Sequence, residues 1–213
     1  MQLLFDRVAA YLATMGIKLQ YQLNPKATTR DIDEAQTKLS LTLPKSYIDF
    51  TTQFANGFEL SWRAKRGPSA SFAMSTLRSS SEELLGMRES RFYNDAAARA
   101  YGFPFVDDSE LALHTNRRMH NWLPIHAVGN GDSFSIDLNP HGSGNLIFDQ
   151  HDWLDGGTGN NGYLMSDDFP SFLRSWGEVC FSRPRSLWWK SVIGTSGVAW
   201  DSDEFDDRFR IKG

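Results

Sequence analysis

The chain has 213 residues, of which 40% are hydrophobic and 13% aromatic, so it can bury a substantial core. These values exclude a largely disordered protein and favour one domain, or one domain with an appendage. The formal net charge is -4, and no run of Lys and Arg suggests a nucleic-acid surface. A basic protein partner is therefore easier to accommodate than an acidic one.

The cysteine content and the N-terminal segment both predict a cytoplasmic protein. Cys180 is the single cysteine, so the chain can form neither an internal disulfide nor a cysteine-based zinc site. The first residues place Asp6 and Arg7 within an apolar stretch, unlike a secretory signal. No window approaches the roughly twenty apolar residues that a membrane span needs, so we predict no membrane insertion.

Three helices are predicted before the first clear strand. Apolar residues recur at helical spacing from Leu4 to Met15, and Gly16 follows as a left-handed cap. The second helix begins near Thr28, which forms a capping box with Asp31.

The third helix belongs to the stretch LPKSYIDFTTQFANGFEL, residues 43–60. Pro44 suits a first helical turn, because its φ is fixed and it lacks an N–H. Three aromatic residues share one face, which we predict to be buried: Tyr47, Phe50 and Phe54. Leu43-Pro44 and Asn56-Gly57 are therefore structural motifs that start the helix and turn the chain into a strand.

The hydrophobic period changes to two after the third helix. Residues 58–62 and 70–74 alternate as strands, and Ser80 with Glu83 predicts a capping box at the start of a fourth helix. Residues 88–121 lack a clear pattern, and we predict them to be an insertion.

A meander and a closing helix complete the pattern. Alternating residues between 123 and 148, separated by Gly/Asn turns, predict three antiparallel strands. Asp168 as N-cap and Pro170 in the first turn predict the last helix. The fold class is therefore α+β, with a largely antiparallel sheet of about five to six strands flanked by helices at both ends of the chain.

Three stretches occur in an order typical of one family: LNPKATTRDIDEAQTKLSLTLPKSYIDFTTQFANGFEL, then WLPIHAVGNGDSFSIDL with GNLIFDQHD, then FPSFLRSW. This order resembles the SUKH superfamily, in which a helix, a Leu-Pro step, an aromatic helix and an Asn-Gly turn lead into the sheet. The resemblance implies a single SUKH-like domain over residues 1–183, with the insertion at 88–121 and an extension at 184–213. The chain has Gln36 and Ser40 where the family usually has Glu and Gly.

The resemblance implies a binding protein with no reaction and no cofactor of its own. Members include bacterial immunity proteins that neutralise polymorphic toxins, often nucleases, and yeast proteins that act as hubs in cell-wall signalling. We therefore expect an immunity protein that blocks a cognate basic toxin domain by stoichiometric binding. A scaffold or regulator of cell-wall or signalling proteins is the alternative, and a metal-dependent enzyme that uses the acidic loops is the third hypothesis.

Candidate partner-binding residues are tryptophans near strand ends and acidic residues of the turns. Exposed Trp is enriched at binding hot spots, although we favour packing in the core for each of these tryptophans. The candidates are Trp62, Trp122 and Trp153, together with Asp132, Asp137, Asp149, Asp152 and Asp155. The extension at 184–213 is Trp-rich and acidic, so it either packs on the domain or binds the partner.

Signals for catalysis or metal binding are weaker than these. GTGNNG, residues 157–162, matches a dinucleotide fingerprint but lacks the strand before it and the helix after it. His151 lies in an acidic cluster without EF-hand spacing, so we predict solvated carboxylates and no metal. Asp132 and Asp137 would suit acid/base chemistry if they lay close together. Cys180 lies on an apolar helix face, which indicates a core residue.

Overall fold

The structure, a computed structural model, describes residues 1–89, 119–128, 131–140, 144–150 and 162–211. Its helices are α1 (Gln2–Thr14), α2 (Thr29–Leu39), α3 (Lys45–Gln53), α4 (Leu77–Glu89) and α5 (Phe169–Glu178). Its strands are β1 (Gln20–Leu23), β2 (Phe58–Arg63), β3 (Ser69–Met74), β4 (Trp122–Ala127), β5 (Ser133–Asp137), β6 (Leu146–Asp149), β7 (Tyr163–Ser166), β8 (Ile193–Gly194) and β9 (Gly197–Val198).

The strands form two main antiparallel sheets. Sheet A has the order β1-β2-β3, sheet B has the order β4-β5-β6-β7, and β8 pairs with β9. The predicted α+β class with antiparallel strands is confirmed. We expected one sheet of about five to six strands, and the described residues hold more strands in separate sheets. Strands β1 and β7 escaped prediction because each has four residues and neither alternates between buried and exposed positions.

Sheets A and B meet where β3 lies beside β4. The Ser75 N–H donates to the Ile125 carbonyl at 2.8 Å, and Nδ1 of His126 lies 3.0 Å from the Ala73 carbonyl oxygen. The His126 ring also packs against Phe72, with 4.2 Å between centroids. One backbone hydrogen bond and one imidazole therefore tie the two sheets together.

Local capping signals explain where the helices begin. The predicted capping box of Thr28 and Asp31 is present at α2, and Asp168 accepts from the Ser171 N–H at 2.6 Å at α5. The predicted start of α4 at Ser80 is wrong. Thr76 caps this helix by accepting from the Ser79 N–H at 3.2 Å, and Ser80 is buried inside the helix.

Asn56 and Gly57 form the corner between α3 and β2. Gly57 has φ +92°, and a Cβ on it would lie 2.7 Å from the Met74 carbonyl oxygen. The Asn56 side-chain oxygen accepts from the Leu77 N–H at 2.8 Å. The pair therefore turns the chain, as predicted, and also ties the corner to the first turn of α4.

Helix α5 joins both sheets through two aromatic side chains. Trp176 contacts Phe72 of sheet A edge-on, with 5.1 Å between centroids, and Phe172 contacts Phe134 of sheet B at 5.7 Å. The Trp176 indole N–H donates to the Ser182 carbonyl at 2.7 Å. Burial of these large rings accounts for much of the core.

The extension after residue 183 packs on the same core. Trp189 is buried and meets Phe134 edge-on at 5.1 Å, and Phe209 stacks on Trp62 at 4.8 Å. The Ile211 N–H donates to the Glu178 carbonyl at 2.7 Å. Two of the aromatic side chains of the extension are therefore core residues.

We expect Gly57→Ala to destabilise the fold by about 2 kcal/mol or more, because the new methyl group adds a clash with the Met74 carbonyl to the cost of a positive φ. Gly16→Ala is the matched control: Gly16 has φ +70° and nothing within 4 Å of an added Cβ, so it should lose only about 1 kcal/mol. Urea unfolding measures both. Equal losses would contradict a steric role for the corner.

We expect His126 to make the stability pH-dependent. Burial and the nearby Arg183 lower its pKa from 6.5 to about 4. The folded state therefore favours the neutral ring, while the unfolded chain takes up a proton below about pH 6.5. The free energy of unfolding should fall by up to about 3 kcal/mol between pH 6.5 and pH 4. In His126→Gln this part of the decrease should vanish, and parallel curves for the two proteins would contradict the assignment.

Candidate functional site

Three predicted partner-binding residues lie on strands of sheet B. Trp122 lies opposite Asp137 in the β4–β5 register, and Asp149 lies opposite Ser133 in the β5–β6 register. Trp122 packs with Ile147 in a small cluster separate from the main core. The register therefore places Trp122 beside Asp137, whereas Asp149 lies at the other end of β5, about 13 Å away along the strand. The side chains of all three residues are buried.

Trp62, a candidate contact residue, lies in the core, which is the alternative that we favoured for it. Its side chain is only 3% exposed, stacks on Phe209, and donates from the indole N–H to the Cys180 carbonyl at 2.7 Å. Its place near a strand end suggested exposure, but the C-terminal extension covers it. Trp62 therefore stabilises the core and is not available as a surface contact.

Trp122 is likewise only 1% exposed, so its side chain packs inside the domain, the alternative that we favoured. The ring lies so close to β7 that a Cβ on Gly162 would come within 2.6 Å of it. Glycine at residue 162 therefore leaves the space that the indole occupies.

Asp132 and Asp137 do not form a close pair. They lie at opposite ends of β5, roughly 16 Å apart along a strand of this length. Asp137 accepts from the backbone N–H of Asn139 at 2.9 Å and from its side-chain amide at 2.6 Å, so it shapes the turn after β5. Acid/base chemistry by this pair required the two carboxylates to lie close together, and they do not.

Several candidates lie outside the described residues: His151, Asp152, Trp153 and Asp155, most of the GTGNNG stretch, and residues 90–118 of the predicted insertion. Among the residues that the structure describes, no group of three His, Cys, Asp or Glu side chains is arranged to hold a metal ion.

A long acidic stretch that we did not identify from motifs contains every predicted acidic site residue. Between Arg118 and Arg174 the chain has seven Asp and no Lys or Arg. This region supplies all four strands of sheet B. The rest of the chain has a formal charge of +3. Our description of the extension at 184–213 as acidic is corrected by its basic residues, because five acidic and five basic residues make it neutral overall. A count of Lys and Arg along the sequence would have revealed this uneven distribution of charge.

Arg88 closes the base of the predicted insertion. Its guanidinium donates to the Leu39 carbonyl at 3.0 Å, to the His120 carbonyl at 2.6 Å, and to the Asn121 side-chain oxygen at 3.2 Å. Arg88 thus caps the C-terminal end of α2 and joins the end of α4 to the segment that enters β4.

Two buried groups are poorly suited to nucleophilic chemistry. Burial raises the pKa of the Cys180 thiol to about 12, so almost none of it is thiolate at neutral pH. Burial also raises the pKa of Tyr47, against a smaller lowering effect of Ser80. Both residues are buried in the core, as predicted, but Cys180 follows the end of α5 with φ +54° and does not lie on the helix.

The Leu-Pro motif is held by side chains of α2 and by the turn before β6. Leu43 is buried, and its N–H donates to the Gln36 side-chain oxygen at 3.0 Å. Pro44 is the N-cap of α3 and packs beside Gly144, where a Cβ would lie 3.2 Å from the proline ring. An open groove of about 630 Å³ lies beside the motif and is lined by Gln36, Thr37, Ser40, Leu41, Thr42, Leu138 and Pro140.

A family model described as the SMI1 / KNR4 family (SUKH-1) matches residues 26–175, more than two thirds of the chain. The chain belongs to the SMI1/KNR4 (SUKH-1) family. Membership supports a protein-binding role, as an immunity protein or a regulator, in a family whose members are generally not enzymes. A search of curated proteins found no match. No helix in the described ranges is long and apolar enough to cross a membrane.

The two departures from the usual SUKH pattern have a structural explanation. Gln36 accepts the Leu43 N–H with a side-chain oxygen, a bond that a glutamate at this position could also make. Ser40 ends α2 with φ +54°, a conformation that glycine adopts at lower cost. Both positions are therefore compatible with the residues that the family usually has there.

We expect Gln36→Ala to cost about 1 kcal/mol, because the partly buried Leu43 N–H loses its acceptor. Gln36→Glu retains an acceptor and should be at least as stable as the wild type, since a charged acceptor strengthens the bond. Thermal and urea unfolding of both variants test this. A glutamate variant as unstable as the alanine variant would show that the bond is not what Gln36 contributes.

Proposed function

We propose that this chain is a cytoplasmic immunity protein that neutralises a cognate basic toxin domain by binding it stoichiometrically. Family membership supports the general role of a binding protein. The observation that carries the finer proposal is the stretch between Arg118 and Arg174, which has seven Asp and no cation.

A region with many Asp and no Lys or Arg attracts a basic partner electrostatically before the two proteins touch. The summed field of the aspartates attracts a basic surface and raises the rate of association. Asp167 is exposed, while Asp132, Asp137 and Asp149 are buried and contribute through the field rather than by contact. Asp152, Trp153 and Asp155 are proposed as contact residues of the same region.

Binding to a toxin domain tests the proposal directly. The tagged chain is captured from its native host, the co-purifying protein is identified, and its toxin domain is purified and titrated with this chain. We expect a 1:1 complex and a loss of toxin activity in proportion to the bound fraction. Several unrelated signalling or envelope partners would favour the regulator instead, and inactivation by substoichiometric amounts would indicate turnover and contradict the proposal.

A matched pair of double variants tests the acidic region. Asp152→Asn with Asp155→Asn should slow association with the toxin domain by about threefold or more, since two attractive charges are removed. Asp201→Asn with Asp203→Asn removes the same charge from exposed positions of the neutral extension and should have a smaller effect. Stopped-flow mixing measures both rates. Equal slowing would contradict a special role for the sheet B region.

A further inference from the structure

The loop at residues 185–190 presents two adjacent apolar side chains to solvent. Leu187 is 70% exposed and Trp188 is 54% exposed. The next residue, Trp189, is buried, and so is Val192. The loop is therefore anchored to the core directly beside the side chains that it exposes.

Hydrogen bonds hold the loop in this form. The Leu187 N–H donates to the Pro184 carbonyl at 2.9 Å, and the Ser186 N–H donates to the Glu204 carboxylate at 2.8 Å. The Ser191 hydroxyl donates to the Trp188 carbonyl at 2.7 Å. Leu187 and Trp188 are thus exposed on a loop that hydrogen bonds hold in place. Binding through them would therefore cost little additional conformational entropy.

The backbone at Leu187 is strained. Its φ of +61° lies in the left-handed region, which costs a residue with a Cβ roughly 1–2 kcal/mol and is usually occupied by glycine. Such strain is concentrated at functional sites. Because Leu187 is mostly exposed, its side chain gains little burial to offset the cost of this backbone conformation.

Cations flank the apolar pair. Arg185, 59% exposed, precedes it and lies 3.9 Å from the Asp206 carboxylate. Lys190, also exposed, follows it and lies over the Tyr163 ring, 4.7 Å from the centroid. The two nearby carboxylates are already engaged, because Glu204 accepts from the loop backbone and Asp206 accepts from the Arg208 guanidinium at 2.6 Å. The loop therefore combines an apolar centre with a basic rim.

We infer that Leu187 and Trp188 are an anchor that enters an apolar pocket with carboxylates at its rim on the cognate toxin domain. The inference rests on the proposed function and adds a second contact, separate from the acidic region. Trp and Arg are the residue types most enriched at binding hot spots, and a rigid indole offers a large contact area at low entropic cost. The loop lies outside residues 26–175, the part of the chain that the family model matches.

Three variants, measured by calorimetry against the purified toxin domain, test the anchor. Trp188→Ala should weaken binding by about tenfold or more with an unchanged melting temperature. Leu187→Gly should weaken binding while raising the melting temperature, because glycine relieves the positive φ. A role limited to folding would not give this opposite pair of effects. Leu3→Ala is the control, since Leu3 is 84% exposed on α1 and should leave affinity unchanged.

The outcomes separate failure of the anchor from failure of the proposed function. If the wild type binds the toxin domain and all three variants bind equally well, the anchor is overturned and the immunity role stands. If the wild type does not bind the toxin domain, both fail. Sedimentation with phosphatidylglycerol vesicles that depends on Trp188 would assign the loop to a lipid surface and overturn the protein pocket.

Discussion

The packing of α5 against both sheets is the interaction on which the rest of the structure depends. Sheets A and B share one backbone hydrogen bond, from Ser75 to Ile125, and the contact of His126 with Ala73. Phe172 and Trp176 span the two sheets, and the C-terminal extension adds Trp189 to the same aromatic cluster, 5.6 Å from Trp176. Because aromatic burial contributes more than a single hydrogen bond, these rings hold the sheets as one core.

This arrangement separates the residues that stabilise the fold from those that we propose for recognition. The family signature around Leu43-Pro44 and Asn56-Gly57 fixes two loops through hydrogen bonds within the domain. Its role is therefore structural. Charge is distributed differently, with every strand of sheet B inside a region that lacks cations. The exposed apolar pair of the 185–190 loop lies in a third place, beyond the matched family region. A conserved scaffold with distinct recognition surfaces would allow each member to bind its own partner.

Local chemistry predicted local structure well. The capping box at Thr28 and the N-cap Asp168 act through residues three positions apart, so their signals are complete within a few letters. Burial depends on distant residues, which explains why Trp62, covered by Phe209, seemed available for binding. The start of α4 was misplaced because Thr76 and Ser80 both suit an N-cap. The positive φ of Leu187 could not be predicted, because leucine has no sequence signal for this conformation.

The most direct measurement of the central claim is the association rate constant of this chain with its purified toxin domain as a function of ionic strength. We expect the association rate constant to fall by about tenfold or more between roughly 0.05 M and 0.5 M salt, with little change in the dissociation rate, because salt screens the attraction between the aspartate-rich region and a basic partner. An association rate that does not depend on salt would contradict the claim that this region steers and binds the toxin.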